Sequence, residues 1–215
     1  VELMERIEGI VSMPEFIKLM AKCNPEVIVE IGCEDARDSK LFHSTFSDAR
    51  IIAIEGLPSN YEAFLQKLPF EAYQMVITSY DGEVTYFQKS TPGIHGIYDR
   101  GPNYSGTSLV LPCQKFSTFC KEHNILKVDA VKIDVEGATL EVLQGFEEIL
   151  PTVKILHIET EDSQFFIGQH LQSEVHEFLY ANGFTPLIIG GSMIEPERTQ
   201  FDEVWVRNDI SSTYI

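Results

Sequence analysis

The stretch VIVEIGCEDARDSK, from Val27 to Lys40, limits what this chain can fold into more than any other. A run of β-branched residues closes on Glu30, Ile31 and Gly32, and a helical pattern follows. Apolar strand, acid, glycine and helix is how an open parallel α/β sheet seats a nucleotide-type cofactor. The glycine lets the backbone come close where a Cβ would collide. A second strand ending in an acid, IIAIEG with Glu55 and Gly56, follows. The interval, roughly 20 residues, suits a carboxylate that clasps a ribose diol. Taken alone the first turn is a weak signal. Gly-Cys-Glu-Asp-Ala lacks the second and third glycines of the dinucleotide fingerprint, and any α/β domain uses a tight strand-to-helix turn.

At 215 residues the chain reads as one main domain, able to bury about 70% of its unfolded surface. A net charge of −17 argues against nucleic-acid or anionic-membrane partners, where affinity comes largely from neutralised phosphates. No apolar run reaches the length of a membrane span, and no signal peptide is visible. Cys23, Cys33, Cys113 and Cys120 lack CxxC spacing, which points to reduced thiols and a cytoplasmic setting. The chain begins at Val1, as a processed product or a piece of a longer multidomain polypeptide would.

Residues 1–26 read as an N-terminal helical segment with a break near Ser12, where Ser12 and Glu15 have capping-box spacing. The main domain is expected over residues 27–208 and a frayed polar tail over 209–215. Central strands are expected at Val27–Ile31, Ile51–Glu55, Tyr73–Thr78, Ala130–Gly137 and Val153–Thr160. Helices alternate with them: one N-capped by Asp35, then Pro58–Leu68, Phe116–His123, a segment ending at Leu150, and Gln169–Ala181. Asp81-Gly82 reads as a turn into a strand at Glu83–Lys89, and Ser108–Leu111 as a short strand. Residues 90–108 are rich in Gly, Pro, Tyr, Asn and Ser and too long for a plain connection, so they are expected to form a substrate loop. Thr185–Ile189 and Glu203–Arg207 close the chain as a hairpin at the sheet edge. This order gives a doubly wound α/β sheet with an antiparallel edge and a ligand site at the carboxyl ends of its strands.

Those strand ends carry Glu30 and Gly32, Glu55, Ser79 with Asp81, Asp134 and Glu136, and Glu159. Crowded carboxylates cost free energy unless a ligand, a cation or hydrogen bonds compensate, although acids also cap the helices that follow strands.

KVDAVKIDVEGATLEVLQGFEEIL, together with IIAIEGLPSNYEAFLQKL and the downstream HIE, resembles the FkbM family of S-adenosylmethionine-dependent methyltransferases. The resemblance runs more loosely from Val27 to Gly183. It implies a Rossmann-like sheet of seven strands, mostly parallel with an antiparallel last strand. It also implies that Glu30, Gly32 and the adjacent Cys33 contact the methionine part of the cofactor, and that Glu55 with Gly56 holds the ribose. Ser79 and Asp81 would lie at the adenine and Asp134 at the reacting methyl. The first loop departs from the family's Asp-Ile-Gly-Ala-Asn-x-Gly: Glu34 replaces an amide and Ala36 a glycine.

Transfer to a hydroxyl needs alignment and a proton acceptor. Candidates are Glu159, His157 two residues before it, and His95 of the loop; a lone histidine on a central strand such as His157 is more often a buried core residue. Alternatively Asp134 and Glu159 would ligate a magnesium-class cation (Mg2+), since hard cations prefer oxygen ligands. The expected function is O-methylation of a sugar, glycan or other small-molecule acceptor. The competing expectations are an inactive binding domain of the same fold and, disfavoured by the missing glycines, an NAD-type dehydrogenase.

Overall fold

The computed structural model describes residues 5–195 and 198–214. Its main sheet takes the chain in an order that reverses at the first β-branched run. The strands are β1 (Glu5–Glu8), β2 (Val27–Ile31), β3 (Arg50–Glu55), β4 (Glu71–Gln74), β8 (Ala130–Ile133), β9 (Ile155–Glu161), β10 (Phe184–Glu195) and β11 (Arg198–Arg207), arranged as β1-β10-β11-β9-β8-β2-β3-β4. β11 alone runs antiparallel, paired on one side with β9 and on the other with β10. This is the expected seven-strand sheet with a reversed last strand, plus the short β1 parallel to β10.

Helices cover both faces. α1 (Met13–Ala21) and α2 (Arg37–Thr45) send Phe16, Met20 and Phe42 onto Ile28, Ile51 and Ala130. α4 (Phe116–Glu122), α5 (Thr139–Gln144) and α6 (Gln172–Ala181) bury Phe116, Phe119, Leu143 and Leu179 against Val29, Ile52 and Val131 on the other face. Neighbouring strand residues thus divide between the two cores, as period-two alternation requires.

Several elements differ from the sequence expectation. Residues 5–8 of the expected N-terminal helix are β1, and residues 1–4 of it lie outside the described residues. Asp35 does not N-cap α2. Ala36 holds that position, and Asp35 Oδ1 accepts the Arg37 N–H at 3.0 Å. The helix from Pro58 is one turn, α3 (Pro58–Asn60), continued by a π turn at Tyr61–Leu65. The closing hairpin is not at the sheet edge, because β1 pairs outside β10. The tail is wound into 3₁₀ turns over Asn208–Tyr214.

Strand three shows the largest change. It breaks after β4, and β5 (Val76–Ile77) joins β6 (Gly82–Lys89) and β7 (Gly106–Gln114) in a separate three-stranded sheet ordered β5-β7-β6. The expected loop 90–108 is shorter, 90–105, because Gly106–Ser108 open β7 in place of a strand starting at Ser108; it hangs from this sheet and is pinned. Phe87 and Gly96 form a bridge, as do Asp99 and Ile167, and Lys89 pairs with Asp99.

Candidate active site

A cavity of about 270 Å³ opens at the carboxyl ends of β2, β3, β8 and β9, under the loop 90–105. Gly32, Glu34, Glu55, Gly56, Asp134, Glu136 and Glu159 line it from the strand ends. Met75, Val76, Ile77 and Tyr86 form an apolar wall, and His95 lines it from the loop.

Gly32 has φ +80°, and a Cβ there would stand 1.8 Å from the Asp134 carbonyl oxygen. The glycine is therefore required by the backbone of the β8 end, which it allows to pack directly under the cavity floor. Beyond it Glu34 (φ +46°) and Ala36 (φ +55°) are left-handed without being glycines. That conformation leaves the Glu34 N–H aimed at Glu55 Oε2, 2.8 Å away. Glu55 Oε1 accepts the Leu57 N–H at 2.8 Å. Burial raises the Glu55 pKa, and these backbone donors pull it back. Its side chain is locked by these donors and by the Asn60 side chain, and the carboxylate keeps accepting capacity for a ligand hydroxyl.

The opposite end is a cluster of acids. One carboxylate oxygen each from Asp134, Glu136 and Glu159 lies within 4.8 Å of the others. Burial, then Asp134, raises the pKa of both Glu136 and Glu159 far above the carboxylate range. Burial also pushes nearby Glu161 up to about 7 and Asp202 up to about 6. Glu136 Oε2, Glu159 Oε1 and Glu161 Oε1 have no hydrogen-bond partner among the described residues. Two cations approach: Lys132 Nζ is 3.0 Å from Asp134, and Arg100 is 3.7 Å from Glu136.

The cavity brings together Gly32, Glu55, Gly56, Asp134 and Glu159 of the expected site residues, with His95. Five others lie outside it. Glu30 stands in register with Lys132, which stands in register with His157, and this polar row faces α1 and α2. There the Glu30 carboxylate accepts from the Ser39 N–H at 2.8 Å and lies 3.4 Å from Lys132, so it anchors α2 beneath the first loop. His157 is 3% exposed. It packs on Phe16 with ring centroids 5.0 Å apart, and burial with Lys132 pushes its pKa down to about 3. It is a neutral core residue. Cys33 is buried with Ala36, Ala53 and Leu65, and burial raises its thiol pKa. Asp81 accepts from the Lys115 N–H and Thr118 hydroxyl at the start of α4, which accounts for its carboxylate. Ser79 follows the break in strand three, so Met75–Ile77 reach the cavity in its stead.

A glycine-turned loop, a locked carboxylate at the second strand end and a sheet with reversed last strand define the class of S-adenosylmethionine-dependent methyltransferases. The chain belongs to the family described as the methyltransferase FkbM domain, whose pattern matches residues 16–186. The 2-O-methyltransferase NoeI of Sinorhizobium fredii is 20% identical over 173 residues, covering 72% of this chain and 71% of NoeI. Among solved structures, Streptococcus pneumoniae Sp1610, a putative tRNA (m1A22) methyltransferase, superposes with TM-score 0.50 at 11% identity. The match covers 92% of this chain and 71% of that one, and it shows the shared fold. A second Sp1610 structure, in complex with S-adenosyl-L-methionine, matches with TM-score 0.49 at 11% identity, covering 90% and 72%.

Proposed function

We propose that the cavity binds S-adenosylmethionine and that the protein transfers its methyl group to a hydroxyl of a sugar, glycan or other small molecule. One observation carries the reading. Among the described residues five carboxylates line the cavity and no lysine or arginine does, which suits a ligand bearing two positive centres, an ammonium and a sulfonium. When bound, the cofactor supplies an electrophilic methyl on sulfur. Glu55 accepts the ribose hydroxyls, with Gly32 and Gly56 giving backbone clearance. Glu34, exposed at the cavity mouth, accepts the ammonium, and Met75–Ile77 flank the adenine.

Asp134 and Glu159 take the acceptor's side. A carboxylate oxygen of this pair would take the acceptor's hydroxyl proton. His95 is the weaker base. Its Nδ1 accepts the Lys89 N–H at 3.1 Å, so the neutral ring carries its proton on Nε2 and donates there. The three carboxylate atoms within 4.8 Å also fit a magnesium-class cation held by Asp134 and Glu159 with Glu136. It would lower the pKa of a coordinated hydroxyl. The relationship to a 2-O-methyltransferase supports oxygen as the acceptor atom. Four cysteines without a disulfide support a reducing, cytoplasmic setting. No described helix is long and apolar enough to cross a membrane.

Calorimetry with S-adenosylmethionine, on wild type and Glu55→Ala, with and without magnesium, tests this. Saturable binding lost in the variant is expected. Absence of binding to the wild type would replace the reading with a ligand-binding domain of methyltransferase form. Magnesium belongs in the mechanism only if it improves turnover or acceptor affinity.

A further inference from the structure

S-adenosylmethionine brings a third charge to the cavity besides its sulfonium and ammonium. This is the α-carboxylate, bonded to the same carbon as the ammonium. The five carboxylates of the lining repel it, so it needs hydrogen-bond donors. The first loop has few to offer. The Gly32 and Cys33 N–H groups donate to the Ile54 carbonyl at 2.9 and 3.3 Å, and the Glu34 N–H donates to Glu55 at 2.8 Å.

Apart from the acids, the described side chains that line the cavity and can donate are Asn60, Tyr86, His95 and Gln200. Asn60 is engaged with Glu55. The Tyr86 phenol lies in the field of Glu55 and Glu136, between the ribose end and the acid cluster. Gln200 stands in register with Glu161, on the acceptor's side. His95 is differently placed. Its Nδ1 accepts the Lys89 N–H at 3.1 Å, so the neutral ring keeps its proton on Nε2 as a donor. Burial lowers the His95 pKa, and the Glu34 carboxylate, acting on the ring, raises it in part, so the two side chains are neighbours. The backbone beside His95 is held from two directions. Phe87 and Gly96 exchange N–H···O bonds of 2.7 and 3.3 Å, and a Cβ at Gly96 would come 3.3 Å from the Glu136 carbonyl oxygen.

We infer that His95 receives the anionic end of the cofactor: its Nε2–H donates to the α-carboxylate of S-adenosylmethionine, while Glu34 accepts from the ammonium beside it. The assignment rests on the methyltransferase reading and extends it to the loop 90–105, which then serves the cofactor as well as the acceptor. An N–H that donates to a carboxylate makes a charge-assisted hydrogen bond, stronger than a neutral one. An acid and a donor side by side match the zwitterion of an amino acid. They distinguish S-adenosylmethionine from ligands that bring only an adenosine or only an amine.

Decarboxylated S-adenosylmethionine keeps the adenosine, sulfonium and amine and lacks only the carboxylate, so it separates this role from general damage to the site. His95→Asn puts an amide oxygen near the Nδ1 position, where it can still accept the Lys89 N–H, and removes the Nε2 donor. His95→Gln puts an amide N–H near Nε2. By calorimetry His95→Asn should weaken S-adenosylmethionine by about tenfold or more, and the decarboxylated compound by less than about twofold. His95→Gln should recover most of that loss. Equal losses for the two compounds, or no loss for either, overturn the assignment. If His95→Asn fails to fold, nitrogen-15 spectra of the wild type decide. The His95 Nε2 resonance should move saturably with S-adenosylmethionine and much less with the decarboxylated compound, and equal movement overturns the assignment. Wild-type protein that binds neither compound overturns the methyltransferase reading itself.

Discussion

The two ends of the cavity are finished to different degrees. At the β3 end each Glu55 oxygen already accepts a backbone N–H, so the carboxylate stands in its working position. At the β8 and β9 ends Glu136, Glu159 and Glu161 each keep a buried oxygen with no partner among the described residues. The first end is a prebuilt receptor, whose hydrogen bonds come from the fold. The second is a set of charges whose compensation arrives with ligands, so its energetics depend on what is bound. Breaking the first should cost folding and cofactor affinity, and perturbing the second should change how the protein answers to pH and ligand.

The largest effect is expected at Gly32→Ala. Its Cβ would collide with the Asp134 carbonyl at 1.8 Å in a backbone conformation with φ +80°. Moving the β8 end away should cost about 3–5 kcal/mol, read as a lower urea midpoint with unchanged slope. A loss under about 1 kcal/mol would mean the two loops are not in contact. Next comes Glu55→Gln, which keeps the shape but replaces one accepting oxygen by a donor facing the Glu34 or Leu57 N–H. Cofactor binding should weaken by about 2–3 kcal/mol, roughly 30- to 150-fold in Kd by calorimetry. Unchanged affinity would remove Glu55 from the ribose.

How far the sequence carried depends on whether a residue obeys a local rule. Gly32, Glu55, Asp134 and Glu159 were legible because ligands gather at the carboxyl ends of parallel strands, and each closes or follows a clear apolar run. Glu30 and His157 lie within the strands, so alternation turns them with Lys132 to the α1/α2 face, a direction that depends on three strands in register. Ser79 and Asp81 were displaced by the break that sends β5 into a second sheet. Nothing in the apolar run from Tyr73 announces that break. Arg100 and Tyr98 were illegible for a different reason. Tyr98 bonds Glu141, 43 residues along the chain, and such contacts leave no periodic trace.

The acid end gives the third prediction. Burial pushes Glu30 and Glu161 up to about 7 and Asp202 up to about 6. Between pH about 4.5 and 7 the folded protein therefore holds protons that the unfolded chain has released. The unfolded state binds fewer, so stability falls as pH rises through this window, and Glu136 and Glu159, raised well above the carboxylate range, extend the fall. His157, whose pKa burial holds down to about 3, works in the opposite direction up to pH about 6.5, and half-exposed Glu71, whose pKa the Arg50 guanidinium lowers, does so below its ordinary value and only weakly, being screened. Urea midpoints should therefore fall from pH 5 to pH 7.5, by an amount on the order of a few kcal/mol. Saturating S-adenosylmethionine should shrink the fall through Glu136 and Glu159, which line the cavity and whose pKa values burial also raises, whereas Glu30, Glu161 and Asp202 lie outside its lining. A midpoint that rises across the same range would mean the cluster is compensated within the protein.

The smallest effect is expected where the first loop departs from its family. Ala36 is fully buried at φ +55°, in the position where the family's pattern has glycine. An alanine in that conformation carries about 1 kcal/mol of strain. Ala36→Gly removes the strain, but it also loosens the unfolded chain and deletes a methyl packed with Cys33, Ala53 and Leu65. The terms nearly cancel, so stability should change by less than about 1 kcal/mol in either direction. Cofactor affinity should move by less than about threefold, because the Glu34 N–H that Glu55 accepts lies two residues upstream, in a left-handed turn of its own. A tenfold gain in affinity would show instead that Ala36 holds the loop away from its binding geometry, and that the prebuilt end of the cavity is less finished than its hydrogen bonds imply.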